Sequence, residues 1–271
     1  FLFFWNKFRL TFVSKETKKF VWMMGGLGNV LFQGFAGYLL QKNHSVYYVN
    51  NLTKSNFITN KILKWTVHDD SISKIIFDNQ LHFSNLKTLA KLISIFFKKN
   101  NLFNEKCHYL FESEDSFSTN YTHYFGYFQS KIFIHERKNI FLNYCNSIHQ
   151  KLIKFLPKKQ ISDVVVHYRW GDSDWAVENT DYYEKVKNEL IKNNYINIVV
   201  VTDDLEQAHC FFSEINNISI QRESISEDFS KIFYSKTLFI APSTFSWWAC
   251  HLGVAKDQVF VPKKIYDKIG F

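Results

Sequence analysis

The chain reads as an α/β protein made of two Rossmann-like halves that face each other across a cleft. Three observations lead there. Short β-branched or aromatic runs, such as Val164-Val165-Val166, alternate with stretches whose apolar residues recur at helical spacing. A glycine turn, Gly25-Gly26-Leu27-Gly28, closes the first such run and leads into a helix, the β-turn-α-β order that begins a doubly wound domain. The same alternation then restarts after residues 157–162, whose sequence PKKQIS is the best candidate for a boundary. The expected organisation is a segment 1–18, a first α/β domain 19–157 and a second α/β domain 158–271.

The elements follow in order. Lys19 to Met24 reads as the first strand, and Asn29 opens a helix carrying Leu31, Phe32, Phe35 and Leu39. Val46 to Val49 is the second strand. Ser84 caps a helix bearing Leu86, Leu89, Leu92, Ile93 and Phe96, Tyr124 to Phe128 is a strand, and one long helical stretch runs to Pro157. In the second half, strands at 164–167, 198–201, 218–221, 238–241 and 259–261 alternate with helices at 182–192, 205–212, 227–235 and 244–252.

Composition narrows the classes. A 46% hydrophobic and 21% charged chain has a real core, and 3 Pro with 9 Gly leave little room for linkers or low-complexity tracts. The net charge of +8 implies an anionic partner or surface. Its basic residues are dispersed, as in Lys18-Lys19, Lys158-Lys159 and Lys263-Lys264, which argues against a nucleic-acid module. Cys107, Cys145, Cys210 and Cys250 form no CxxC and read as free thiols with no metal site. The opening FLFFWNKFRLTFV is shorter than the ~20 apolar residues of a spanning helix; it suits an edge strand or a membrane interface.

Three strand ends of the second half carry polar clusters: His167, Arg169 and Asp172; Thr202, Asp203 and Asp204; and Ser243, Thr244 and Ser246 at a helix start. In a parallel sheet these ends share one edge, where ligands of α/β folds bind. Arg169 offers a planar fork of donors for a pyrophosphate. The turn Ser243-Thr244-Phe245-Ser246 presents hydroxyls and backbone N–H groups at a helix N-terminus, which suits an anion. Asp203 or Asp204 could accept from N1–H and N2 of guanine. The bland alternative makes Ser243 and Asp203 simple helix caps. Gly26 and Gly28 either form a tight turn or let a phosphate approach, with Asn29 presenting its amide to the cleft. Of Trp247 and Trp248, at least one belongs to the core, since neighbours on a helix diverge by about 100°.

Five segments, MMGGLGNVLFQGFAGYLL from Met23, GYFQS from Gly126, VHYRWGD from Val166, VVTDD from Val200 and PSTFSWWACHLG from Pro242, together resemble glycosyltransferase family 11, the α-1,2-fucosyltransferases. They stand in that family's order and span most of the chain from Met23 onward. The resemblance implies two facing Rossmann-like domains of the GT-B type and an inverting transfer of L-fucose from GDP-β-L-fucose to a sugar hydroxyl, without a metal. It implies that Arg169 holds the β-phosphate, His167 helps place the nucleotide, Asp203 or Asp204 reads guanine, and Ser243 to Ser246 bind the diphosphate. Two departures stand out. The family's His-x-Arg-Arg-Gly-Asp-Tyr has Trp170 for its second arginine and Ser173 for its tyrosine here, and Gly-Asn-Gln-Met-Phe-Gln becomes Gly28-Asn29-Val30-Leu31-Phe32-Gln33. Asp172, Asp174 and Glu112 are the candidate general bases.

The expected function is therefore fucosyl transfer in bacterial surface polysaccharide or O-antigen synthesis, with Arg169, Asn29 and Asp172 at the reacting centre. GDP-fucose is the donor and the acceptor is an oligosaccharide, lipid-linked in keeping with the basic charge. The expected location is cytoplasmic, peripheral on the inner face of the membrane. The rival readings are a non-catalytic nucleotide- or glycan-binding protein on the same fold, a fucosyltransferase of different linkage, and, least of all, a nucleic-acid binder.

Overall fold

The structure, a computed structural model, describes residues 18–23, 25–50, 71–77, 81–83, 107–110, 117–157, 162–170 and 180–270. The expected helix capped by Ser84, the opening aromatic segment and most of the PKKQIS stretch lie outside those residues.

The first half is a parallel sheet with helices on its faces. Strands β1 (Lys18–Met23), β2 (Ser45–Asn50), β3 (Leu81–Phe83), β4 (Cys107–Leu110) and β5 (His123–Gly126) stand in the order β3-β2-β1-β5-β4. β1 pairs with β2 from Lys18 opposite Ser45 to Met23 opposite Asn50. Helix α1 (Leu27–Gln41) begins two residues before the expected Asn29, because Gly26 is its cap and its carbonyl accepts from the Asn29 and Val30 N–H groups. Gly25 makes this early start possible: its φ of +81° is the left-handed conformation that glycine adopts without a Cβ penalty. β5 stops at Gly126 rather than Phe128, whose φ of 54° leaves the extended region. After α2 (Ser71–Phe77), the expected long helix is two helices, α3 (Lys131–His135) and α4 (Lys138–Phe155). They part at Arg137, which leaves helical dihedrals at φ −120°, ψ 25°.

The second half is another five-stranded parallel sheet. β6 (Val164–Tyr168), β7 (Ile198–Thr202), β8 (Ile218–Gln221), β9 (Thr237–Phe239) and β10 (Gln258–Phe260) stand in the order β10-β9-β6-β7-β8. Counted from its own first strand this is 3-2-1-4-5 with the ends reversed, the doubly wound order with its switch point between β6 and β9. Helices α5 (Thr180–Asn193), α6 (Leu205–Phe211), α7 (Ile225–Tyr234) and α8 (Thr244–Leu252) make the crossovers, and α9 (Lys263–Lys268), not foreseen, follows Pro262. β9 ends at Phe239, two residues before the expected limit, although Ile240 N–H still reaches the Phe260 carbonyl.

Strand β6 is buried on both faces, as a central parallel strand must be. Its period of two divides its neighbours. Val164, Val166 and Tyr168 pack with Tyr183, Leu190 and Phe212 on one side. Val165 belongs to the larger core, which runs continuously from Phe32, Phe35 and Tyr144 of the first half to Trp247, Trp248 and Phe233 of the second. Both tryptophans are fully buried: their rings lie 5.1 and 4.9 Å from Phe32, and the Trp247 indole N–H donates to the Gly270 carbonyl. The two facing Rossmann-like domains are thus joined by an aromatic seam where α1 meets α8.

Candidate functional site

Above that seam lies a cavity of about 600 Å³ at the carboxyl ends of β6, β7 and β8 and the N-termini of α1 and α8. A larger hollow of about 720 Å³ lies between α5 and α9, where Asp181, Glu189 and Asp267 are mixed with Lys185, Lys263 and Lys264. None of the expected site residues lines that second hollow, whereas the first lies at a sheet's switch point. The first is therefore the candidate site.

His167 and Arg169 enter it from the end of β6. Alternation along β6 sends His167 to the side opposite Tyr168, where its ring tilts against Phe245 at 5.6 Å. His167 is buried, and its Nδ1 has no hydrogen-bond partner within the described residues. Burial, reinforced by the neighbouring Arg169 charge, pushes its pKa down to about 3, so the imidazole is neutral at physiological pH. Arg169 Nε pairs with Asp203 Oδ2 at 3.0 Å, and the Arg169 N–H donates to the Tyr183 hydroxyl at 3.0 Å. Asp203 Oδ1 accepts the Trp170 N–H at 2.8 Å. This carboxylate therefore locks the β6 end to the β7 end and sets the plane of the guanidinium. Trp170 stacks on Tyr168 at 5.5 Å and packs with the core behind the sheet, not in the cavity.

The other wall joins the two halves. Asn29 Oδ1 accepts from Gln129 Nε2 at 2.6 Å and from the Thr244 hydroxyl at 3.1 Å. Its amide thus ties α1 to the N-terminus of α8. A Cβ on Gly28 would collide with the Thr244 backbone and Oγ1, so glycine is what lets the helix ends touch. Gly26 differs: a Cβ there would meet nothing within 4 Å and would point into open space. Ser243 caps α8, its hydroxyl accepting the Phe245 N–H at 3.2 Å while it still lines the cavity with Thr244 and Phe245. The start of α8 offers the positive end of its dipole to an anion.

Two of the expected site residues do not line the cavity. Ser246 is completely buried and donates its hydroxyl to the Ala241 and Ser243 carbonyls, because it lies one turn inside the helix and faces the sheet. Asp204 caps α6 by accepting the Gln207 N–H, and it does not line the cavity. Of the two aspartates expected to face a base, only Asp203 faces the cavity. Asp172, Asp174 and Glu112 lie outside the described residues.

Four lining or supporting residues were not anticipated. Gln129 orients Asn29. Arg222, Glu223 and Asp228 line the cavity from the end of β8 and the start of α7. Asp228 is buried, accepts the Glu223 N–H at 3.2 and 3.3 Å, and is pushed up to about 6 by that burial, against the opposing pull of Lys231. Lys231 Nζ sits 2.9 Å from Glu223 Oε2 and 3.6 Å from Asp228 Oδ1. The strand-end rule that picked out the clusters after β6, β7 and β9 applies equally after β8, and Gln221-Arg222-Glu223 was legible by it.

No protein-family model matches the chain. Its sequence is similar to the O-antigen biosynthesis glycosyltransferase WbnK of Escherichia coli, 26% identical over 284 residues that cover 89% of this chain and 93% of that protein. Among solved structures, the E. coli heptosyltransferase WaaC with ADP matches over 94% of this chain and 90% of that one, at 10% identity and a TM-score of 0.50. The fucosyltransferase NodZ from Bradyrhizobium matches over 89% and 93%, at 13% identity and a TM-score of 0.43. The chain is related in sequence to a glycosyltransferase, and its architecture is GT-B, two Rossmann-like domains with a cleft between them.

Proposed function

We propose that the protein is a GDP-fucose-dependent, inverting glycosyltransferase that builds an α-1,2 linkage in O-antigen or surface-polysaccharide synthesis. The observation that carries this reading is the convergence of Arg169, neutral His167 and the N-terminus of α8 on one cavity at a sheet's switch point. The similarity to WbnK supports the O-antigen setting, and the resemblance to glycosyltransferase family 11 supports the donor and linkage.

In this mechanism the acceptor hydroxyl oxygen attacks fucose C1 from the face opposite the nucleotide. A C1–O bond forms as the bond from C1 to the β-phosphate oxygen breaks, and the β-linked donor becomes an α-linked product. The electron pair leaves on the diphosphate. Arg169 and the α8 N–H groups meet that growing charge in place, an arrangement worth roughly 100- to 1000-fold per strong donor. Asp203 keeps the guanidinium from swinging, and Asn29 holds α1 against α8 so that both anchors keep their spacing. Neutral His167 contributes hydrogen bonding to the nucleotide without adding charge. Neutralisation by these groups makes the reaction independent of a metal, and one of the carboxylates Asp172, Asp174 and Glu112 takes the acceptor proton. The acceptor is an oligosaccharide, lipid-linked and met at the inner membrane surface. In this proposal contact there is peripheral; no helix among the described residues is long and apolar enough to cross a membrane.

The test is calorimetric titration with GDP, UDP and ADP in EDTA, on the wild type and Arg169→Ala, followed by transfer assays with GDP-fucose. GDP is expected to bind most tightly and to lose about 1.5–3 kcal/mol in the variant. Tighter binding of ADP or UDP, or GDP binding indifferent to Arg169, refutes the donor assignment.

A further inference from the structure

The end of β8 carries a charge that the site described so far does not use. Arg222 directly follows β8, lines the cavity and is exposed. Among the described residues it has no ion pair or hydrogen bond, in contrast to the other charges around it. Arg169 engages Asp203 at 3.0 Å, and Lys231 takes both nearby carboxylates, Glu223 at 2.9 Å and Asp228 at 3.6 Å. The donors of Arg222 are thus uncommitted although two acidic side chains lie within a few residues of it.

We infer that Arg222 reads the base of the bound nucleotide, donating to the O6 and N7 acceptors of guanine, and so selects guanine over adenine. The inference rests on the proposed GDP-sugar reading and deepens it. Its ground is position along the sheet. The phosphate anchors sit at α8, which follows β9, and at Arg169, which follows β6. From β9 to β8 is three strand spacings, roughly 14 Å. A nucleotide whose diphosphate is held at β9 and β6 therefore extends its nucleoside along the sheet edge toward β7 and β8, where Arg222 stands. The chemistry then decides the base. Arginine has only donors, in a planar fork. Guanine presents two adjacent acceptors to that fork, whereas adenine places an amino donor where guanine has O6. Lysine can reach the same two acceptors, but as a flexible point charge without the pre-organised fork.

The experiment titrates wild type, Arg222→Ala and Arg222→Lys with GDP, ADP and 7-deaza-GDP, which lacks N7. Because Arg222 is exposed and unpaired, neither substitution removes a folding contact. The wild type is expected to favour GDP over both other ligands. Arg222→Ala is expected to lose roughly 5- to 150-fold in GDP affinity while leaving ADP nearly unchanged, and Arg222→Lys to recover part of it. The alanine variant should also cease to distinguish GDP from 7-deaza-GDP. Equal weakening of GDP and ADP would place Arg222 on the phosphates and overturn the inference, as would a guanine preference that survives Arg222→Ala. A wild type with no preference for GDP removes the GDP-sugar reading and this inference with it.

Discussion

Gly28→Ala probes the joint on which the site depends. Position 28 lies in the first turn of α1, and a methyl there would overlap the Thr244 carbonyl carbon and Oγ1 and come within 2.6 Å of the Phe245 nitrogen. Two of these three atoms are backbone, so no side-chain rotation relieves them and the ends of α1 and α8 must separate. Overpacking of this kind costs about 1–3 kcal/mol. Replacing a helical glycine with alanine returns up to about 1 kcal/mol. Separation also stretches the 3.1 Å bond from Thr244 to Asn29, worth about 1 kcal/mol. The net expectation is a destabilisation of about 1–3 kcal/mol, with GDP affinity reduced about tenfold or more because Thr244 and Phe245 are displaced from the anion site. Gly26→Ala is the control: its φ of −77° suits any residue and its Cβ would touch nothing, so it costs only the weaker helix cap, about 0.5–1 kcal/mol. Urea unfolding gives the stability and calorimetry the affinity. Gly28→Ala as stable as Gly26→Ala, with GDP binding intact, would refute the direct contact between the helix ends.

Acid should weaken the fold through buried histidines. Burial holds His167 down to about 3, with Arg169 adding to the shift, and His251 down to about 4, while burial raises Asp228 to about 6. Between about pH 4 and 6 the unfolded chain holds two histidine protons that the folded chain lacks, and the folded chain holds one carboxyl proton that the unfolded chain lacks. The net of one proton predicts a loss of about 1.4 kcal/mol per pH unit of acidification, flattened by His167→Asn; a urea midpoint that rises as pH falls through this window would contradict it. Trp247→Ala removes a ring packed 5.1 Å from Phe32 and stacked 3.8 Å from His251, and should cost about 3–5 kcal/mol. Because that seam joins both halves, the variant should still unfold in one transition; a loss below about 1 kcal/mol, or two separate transitions, would show that the halves do not share a core.

Local rules carried the sequence reading far. Short unbroken apolar runs for strands and apolar spacings of three to four for helices located nearly every second-half element to within two residues, since each depends on the side chains of one short segment. The same rules placed His167, Arg169, Asp203, Ser243 and Thr244 at strand ends, because parallel pairing sends those ends to one edge. What they could not decide depends on neighbours distant in the chain. Whether Asp203 or Asp204 faces the cavity was settled by partners: Asp203 is held by Arg169 and Trp170 across a strand, and Asp204 by the first turn of α6. Ser246 looked like Ser243 in the sequence, yet one helical turn places it against the Ala241 carbonyl, away from any ligand. Asn29, 215 positions from Thr244, is bonded to it, and both tryptophans are buried because α1 and α4 supply aromatic rings from the other half. The chain alone determined which elements form and which edge is chemical, since those follow from spacing and side-chain type. Only the tertiary packing, of neighbouring elements within the second half for Asp203, Asp204 and Ser246 and of one half on the other for Asn29, decided which polar atoms are satisfied inside the protein and which are left facing the cavity.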